Sequence, residues 1–426
     1  MLDLSVLLNE TDDVAARLGS KGLDQETVYA ARDAAVRRRE LRKRLDDLRA
    51  DMNRGSKELG RIISSQPENA EQARAQLSAL KQEITTLEED HRVAETEERD
   101  LLLVLPNLPD PKAPIGADES ANVVLRYGGP TATPVPGARP HWDVAADLGI
   151  FDVERAAKLS GSGFSLLRGD GARLLRALVQ FGLDLHQDKY EEMTVPHFVR
   201  SETLVGTGHL PKFKDDAYEM RLDDLWAVPT GEVPLTGMHR GEMLDLDTLP
   251  KKYMTYTVCF RREAGSAGKD TRGMQRLHEF HKVELVRICE LENVEAEFEE
   301  LLADAELSLQ KLGLPYRVVD LCTGDLTFSS ARIFDLEVYA PGVDKWLEVS
   351  SVGSFTDFQA RRSNIRYKTP DGQTRIPAYL NASAMATPRV WASIIEHGQQ
   401  ADGTVRVPEV LQPYLGKDVI GPHVAR

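Results

Sequence analysis

Apolar positions between Leu41 and Ile62 recur at alternating steps of four and three, through Leu41, Leu45, Leu48, Met52, Gly55, Leu59 and Ile62. That spacing gathers them on one stripe of an α-helix, the a/d seam of a coiled coil, with Gly55 as its weakest slot. The polar stretch Ser64-Ser65-Gln66-Pro67-Glu68-Asn69 breaks the pattern, and a second seam runs through Ala73, Leu77, Leu80, Ile84, Leu87, His91 and Ala94. Two helices of similar length joined by so short a turn run antiparallel. A two-stranded hairpin buries only a narrow stripe, so the pattern predicts a projecting arm. Pro106, Pro109, Pro111 and Pro114 end the helical pattern, and the Gly/Pro-rich stretch from Gly128 to Pro140 reads as a connector. The expected division is an arm over 1–110 and a body over 111–426, with the connector at about 111–140.

Beyond the connector the pattern changes to short alternating runs between polar loops, with helices such as Gly171 to His186 interspersed. This predicts an α+β domain on an antiparallel sheet. In Tyr253–Glu263 one parity carries Tyr253, Thr255, Thr257, Cys259, Arg261 and Glu263, so one face is polar and ends in a cation and a carboxylate. A polar, glycine-containing loop follows, and a return strand from about Gln275 puts Phe280, Lys282 and Glu284 on one face. Arg261, Glu263, Phe280 and Glu284 then line one site. An arginine for a phosphate, a ring for a base and a carboxylate for an amine suit a nucleotide.

Composition narrows the class. At 426 residues the chain exceeds one ordinary domain of about 150 residues. Hydrophobic and charged fractions of 41% and 28% are those of a globular protein. No run approaches the roughly 20 apolar residues of a membrane span, and the N-terminus lacks a signal-peptide pattern, so a cytoplasmic location is expected. Cys259, Cys289 and Cys322 lie far apart, against a disulfide framework or a cysteine-rich zinc site. A net charge of −15 argues against nucleic acid as a general partner. Locally the balance reverses: from Arg32 to Arg61 eleven basic residues stand against six acidic ones. Either that run is a solvated coiled-coil face, with the acidic second helix neutralising part of it, or it grips nucleic acid.

The chemistry-bearing residues have a family likeness. Phe260-Arg261-Arg262-Glu263-Ala264-Gly265, Asp270-Thr271-Arg272-Gly273 and His278-Glu279-Phe280-His281-Lys282-Val283-Glu284 closely resemble motif 2 of seryl-tRNA synthetase, a class II aminoacyl-tRNA synthetase. The resemblance extends to Pro106-Asn107-Leu108-Pro109, Gly206–Phe213, Pro229–Thr236, Glu348-Val349-Ser350-Ser351, Asp357–Arg362 and Leu380-Asn381-Ala382-Ser383 with Arg389. It implies the class II antiparallel sheet flanked by helices, and a ligase that uses ATP and Mg²⁺ to activate L-serine and load tRNA(Ser), with tRNA(Sec) a further acceptor.

By that resemblance Arg261, Glu263 and Arg389 are catalytic, and Arg261, Arg262, Glu263, Phe280, Glu348, Val349, Ser350, Ser351 and Arg389 bind ATP. Glu348 and Ser351 meet the Mg²⁺ that accompanies it. Thr230, Gly231, Glu232, Glu284 and Ser383 receive serine, and Arg38, Arg42, Arg49 and Arg54 on the arm meet tRNA. The family also implies a homodimer whose motif 1 corresponds to the helix near Arg173 to His186 and the strand ending Val195-Pro196.

Several positions depart from the family pattern. Gly231 replaces alanine or serine, Val352-Gly353-Ser354 stands where Cys-Ser-Asn is common, and His281 replaces aspartate. Ala382 and Ala384 replace glycines beside Ser383, which predicts methyl groups on the pocket floor and crowding there. Pro388 replaces a glycine, with Thr387 expected to cap the helix that follows. These changes fit drift in an ordinary enzyme or a specialised second copy, insensitive to an antibiotic or feeding seryl-tRNA to a biosynthetic pathway. A non-catalytic tRNA-binding protein and transfer to a carrier protein are further alternatives. His278 and His281 lie three apart on a strand, facing opposite sides, so metal ligation is not expected of them.

Overall fold

A computed structural model describes residues 1–264 and 272–422; Gly265, Asp270 and Thr271 of the motif-2 resemblance lie outside them. The chain divides into two compact units, Met1–Pro106 and Asn107–Arg426. Among the described residues no helix is long and apolar enough to cross a membrane.

In the first unit, α1 (Leu4–Asn9) and α2 (Thr11–Gly19) pack on the start of α3 (Gln25–Ser65). Leu7, Val14, Leu18, Val28, Ala31 and Ala35 form that small core. A turn at Pro67–Asn69 leads into α4 (Ala70–Leu103), which returns along α3. From Leu41 to Ile62 and from Ala73 to Ala94 the residues withdrawn from solvent are those of the two predicted seams. Gly55 sits where Leu77 crosses: a Cβ there would lie 2.8 Å from Leu77 Cδ2. The acidic helix pairs with the basic one through Arg44–Glu83 at 2.7 Å, Arg49–Glu88 at 2.6 Å and Arg37–Glu97 at 3.0 Å.

The second unit is built on an eight-stranded sheet: β1 (Val123–Gly128), β2 (Glu191–Met193), β3 (Lys251–Phe260), β4 (Glu279–Cys289), β5 (Tyr316–Asp320), β6 (Arg332–Ala340), β7 (Lys345–Thr356) and β8 (Ala378–Ala386). Their spatial order is β1-β5-β6-β7-β8-β4-β3-β2. Every pair is antiparallel except β2 with β3, an edge pairing that adds one parallel strand to the expected sheet. Helices α5 (Asp170–His186) and α7 (Val294–Leu312) contribute to the core on one face of the sheet, while α6 (Glu232–Gly237), α8 (Phe358–Ser363) and α9 (Thr387–His397) are set around the strands that carry the site.

Period two decides which side chains face that core. Val283 and Leu285 of β4, Val352 of β7, and Ala382 and Ala384 of β8 join Leu174, Leu301 and Trp391 in one hydrophobic cluster. The expectation for Ala382 and Ala384 is thereby corrected. Their methyl groups belong to the core and do not line the cavity, because neighbours of Ser383 on a strand point away from it. Neither alanine has a positive φ.

Candidate active site

The opposite face of β4, β7 and β8 opens into a cavity of about 560 Å³. The β3–β4 hairpin sets its first wall. Cys259 pairs in register with Phe280, Thr257 with Lys282 and Thr255 with Glu284. The strands end earlier than the sequence pattern predicts, at Phe260 on one side and Glu279 on the other, because the intervening backbone finds other partners. Arg262 N–H donates to the Asp216 carbonyl at 2.8 Å, and Met274 N–H donates to His141 Nε2 at 2.9 Å. Glu263 takes a left-handed φ of 53° there and pairs with Arg276.

Of the residues expected at the nucleotide site, Arg261, Glu263, Phe280, Glu348, Val349, Ser350, Ser351 and Arg389 all line the cavity. Arg262 does not. The Arg261 guanidinium carbon lies 5.1 Å from the centroid of the Phe280 ring, and its Nε donates to the Pro229 carbonyl at 3.3 Å. Arg389 donates through Nη1 to the Glu348 carbonyl at 2.6 Å and carboxylate at 3.1 Å, and through Nε to the Gln275 carbonyl at 2.9 Å. It stands at the start of α9, which begins with Pro388 in its first turn as expected. Thr387 does not cap that helix; its hydroxyl donates to the His281 carbonyl at 3.0 Å and ties α9 to β4.

Glu348 and Ser351 share a stretch of β7 that contains a bulge between Glu348 and Ser350. Ser350 uses its hydroxyl to hold the Ser383 carbonyl at 2.6 Å. Asp335 lies opposite Ser351 in register and was not singled out from sequence; burial and the Glu348 carboxylate push its carboxyl well up. Its Oδ1 is buried without a hydrogen-bond partner among the described residues. Two carboxylates and a hydroxyl are the oxygen donors a hard divalent cation takes. Among the described residues no group of three or more His, Cys, Asp or Glu side chains forms a metal cage. His278 and His281 are occupied separately, by the Arg261 carbonyl at 3.0 Å and the Tyr256 hydroxyl at 2.6 Å.

Deeper in the cavity Thr230, Glu232, Glu284 and Ser383 converge and are all buried. Thr230 Oγ1 donates to Glu284 Oε2 at 3.0 Å and accepts from Glu232 N–H at 3.2 Å. Gln359 on α8 reaches Glu232 Oε1 through its amide nitrogen at 2.5 Å. Burial first, then the Glu284 carboxylate, pushes the Glu232 carboxyl up to about 7 against the pull of Gln359 and Lys282. Gly231 does not line the cavity. It backs the wall, where a Cβ would come within 2.8 Å of Thr255 Cγ2 and 3.1 Å of Glu284 Cβ.

His209, Arg276, Lys282 and Asn381 also line the cavity, and Gln359 stands behind it, beyond the site residues expected from sequence. Lys282 and Arg276 carried a signal, since both have the parity of Phe280 and Glu284 on the return strand expected from about Gln275.

On the arm Arg42, Arg49 and Arg54 are exposed, each in an ion pair with a carboxylate of the hairpin. Arg38 differs. It continues the seam one step before Leu41 and forms a two-pronged pair with Glu98, which is 5% exposed.

Residues 1–109 match the seryl-tRNA synthetase N-terminal domain, and residues 213–398 match the tRNA synthetase class II core domain (G, H, P, S and T). The chain is 51% identical over 345 residues to the serine–tRNA ligase of Gemmatimonas aurantiaca, covering 80% of this chain and 81% of that one. With the serine–tRNA ligase of Dehalococcoides mccartyi it shares 44% identity over 423 residues, 99% of this chain and 100% of the relative. Among solved structures, seryl-tRNA synthetase from Pyrococcus horikoshii complexed with ATP superposes with a TM-score of 0.93 at 34% identity, covering 100% of both chains. The cytoplasmic serine–tRNA ligase from Naegleria fowleri in complex with AMP gives 0.88 at 26% identity, covering 100% of this chain and 99% of that one.

Proposed function

The chain belongs to the seryl-tRNA synthetase family, and from that premise we propose that it activates L-serine with ATP and transfers the seryl group to tRNA(Ser). One observation carries this reading. The cation–ring pair Arg261–Phe280 and the buried polar group Thr230, Glu232, Glu284 and Ser383 share a single cavity, so a nucleotide and a small hydroxylated amine fit side by side.

In the first step the serine carboxylate oxygen attacks the α-phosphorus of ATP, the bond to the bridging oxygen breaks, and pyrophosphate leaves. Arg261 is placed to stabilise the charge that grows on the α-phosphate. Phe280 offers the base a stacking surface, and Arg389 meets the terminal phosphate. Bound Mg²⁺ supplies charge neutralisation at the phosphates, and Glu348 and Ser351, with Asp335 behind them, are the residues that would hold it. Glu232 and Glu284 accept hydrogen bonds from the serine ammonium and hydroxyl. An analogue without the hydroxyl leaves buried acceptors unpaired and is rejected. In the second step a hydroxyl of the terminal ribose of tRNA attacks the seryl carbonyl and AMP departs.

The arm over 1–110 is read as the tRNA-binding element and 111–426 as the catalytic domain, in a homodimer whose interface includes the motif-1 helix α5. Residues Arg42, Arg49 and Arg54 face outward for phosphate contact. Deletion of residues 1–110 is the test: adenylate formation persists and transfer to tRNA is lost. Transfer that survives undiminished overturns the arm's role.

A further inference from the structure

Two carboxylates buried side by side are costly unless a cation answers them. Glu232 and Glu284 are 8% and 1% exposed. Arg261, on the same cavity lining, is engaged elsewhere, with its Nε on the Pro229 carbonyl and its guanidinium over Phe280. The ammonium that meets Glu284 is that of Lys282, two residues earlier on the same face of β4 and itself 6% exposed. Lys282 and Thr230 both bind Oε2 of Glu284.

Resting on the serine-activating reading above, we propose that Lys282 is a specificity-determining residue of the amino-acid site. Its ammonium fixes Glu284 by one oxygen and leaves the other to the substrate. It also lowers the negative charge of the carboxylate pair to what one substrate ammonium neutralises. Without it the pocket holds two unanswered carboxylates, and one of them takes a proton in place of the substrate.

The groups around the cluster define the readout. Cys259 and Arg261 face it from β3 and its end, His209 from the segment after residue 207 with Arg362 of α8 beside that histidine, Gln359 from α8, and Glu232 from α6. Burial pushes His209 down to about 3 and pushes the Cys259 thiol up, so both are neutral between pH 5 and 8. Glu232, at about 7, is the group whose ionisation changes in that window, and Lys282 is one of the charges that hold it down.

The experiment measures kcat/KM for serine in ATP–pyrophosphate exchange from pH 5.5 to 9 for wild type, Lys282→Met and Lys282→Arg, with KM for ATP alongside. Circular dichroism at each pH checks that the folded fraction is constant, and the pH at half-maximal kcat/KM is then independent of that fraction. For Lys282→Met the acid limb is expected to move upward by about one pH unit, with serine KM at pH 7 raised about tenfold and ATP KM unchanged within about twofold. Lys282→Arg keeps the wild-type limb. An unmoved limb in Lys282→Met, or equal changes in both KM values, leaves Lys282 a structural ion pair and overturns the proposal alone. No serine-dependent exchange in the wild type overturns both this proposal and the reading beneath it.

Discussion

Arg261 and Phe280 face one another across the end of the β3–β4 hairpin, with the guanidinium carbon 5.1 Å from the ring centroid. The ring therefore serves two purposes in the proposed reaction: it is a platform for the base and it positions the arginine aimed at the α-phosphate. Phe280→Leu keeps bulk and removes both. The expected result is an ATP KM raised roughly tenfold, the value of one stacking contact, with serine KM unchanged. Pyrophosphate exchange at varied ATP checks it, and a variant with unaltered ATP KM removes Phe280 from the nucleotide site.

Gly231 and Thr255 are a matched pair. Alanine at 231 places its Cβ 2.8 Å from Thr255 Cγ2 and 3.1 Å from Glu284 Cβ, and the fully buried Thr255 is anchored by its hydroxyl to the Met193 carbonyl at 2.7 Å. Gly231→Ala is expected to cost about 1–3 kcal/mol and to weaken serine binding through displacement of Glu284. Thr255→Ser removes the obstructing methyl and keeps the hydroxyl. The double variant should regain most of the loss, with a coupling of about 1 kcal/mol or more in melting and in serine KM. Additive effects would show that the two residues do not compete for the same space.

Glu232 makes the apo protein sensitive to pH. Its carboxyl is raised from an ordinary value of 4.5 to about 7, so folding favours its protonated form. The stabilisation is complete below about pH 4.5 and is lost as pH rises through about 7, a contribution of roughly 3 kcal/mol at most. Glu232→Gln, which never ionises, is expected to melt increasingly above wild type from pH 5 to pH 8. Calorimetry across that range decides it; a constant offset places the ionisation elsewhere.

On the arm two kinds of arginine separate. Removing Arg38 leaves Glu98 buried without its partner, and Arg38→Ala should destabilise the hairpin by about 3 kcal/mol in a helical melt. The combined change of Arg42, Arg49 and Arg54 to alanine should leave that melt nearly unchanged. It should reduce the salt slope of tRNA binding by about one for each phosphate no longer neutralised, while serine-dependent exchange persists. An unaltered slope would return these residues to the solvated face of a coiled coil.

What the sequence discloses depends on how locally each feature is encoded. The seams of α3 and α4 are a repeat within single helices, and Leu41 to Ile62 read directly. The shared face of Arg261, Phe280 and Glu284 follows from strand alternation across one hairpin. The same alternation turns Ala382 and Ala384 into the core, a consequence hidden when Ser383 is considered as a motif and not as a strand position. Gln359 and His209 escaped because each approaches from a separate segment, through contacts that no local period records, whereas Arg276 shares the parity of Phe280 but lies before the strand begins at Glu279. Arg38 shows the converse: its place in the seam was legible by extending the spacing one step before Leu41, yet its charge made it read as a surface residue.

The most direct measurement is amino-acid-dependent ATP–pyrophosphate exchange with serine, threonine, alanine, glycine and cysteine, with Arg261→Ala as the control. Exchange with serine alone, abolished in the control, is the predicted result. Exchange driven by another of these amino acids, or none with serine, would contradict the assignment of Thr230, Glu232, Glu284 and Ser383 to a serine site.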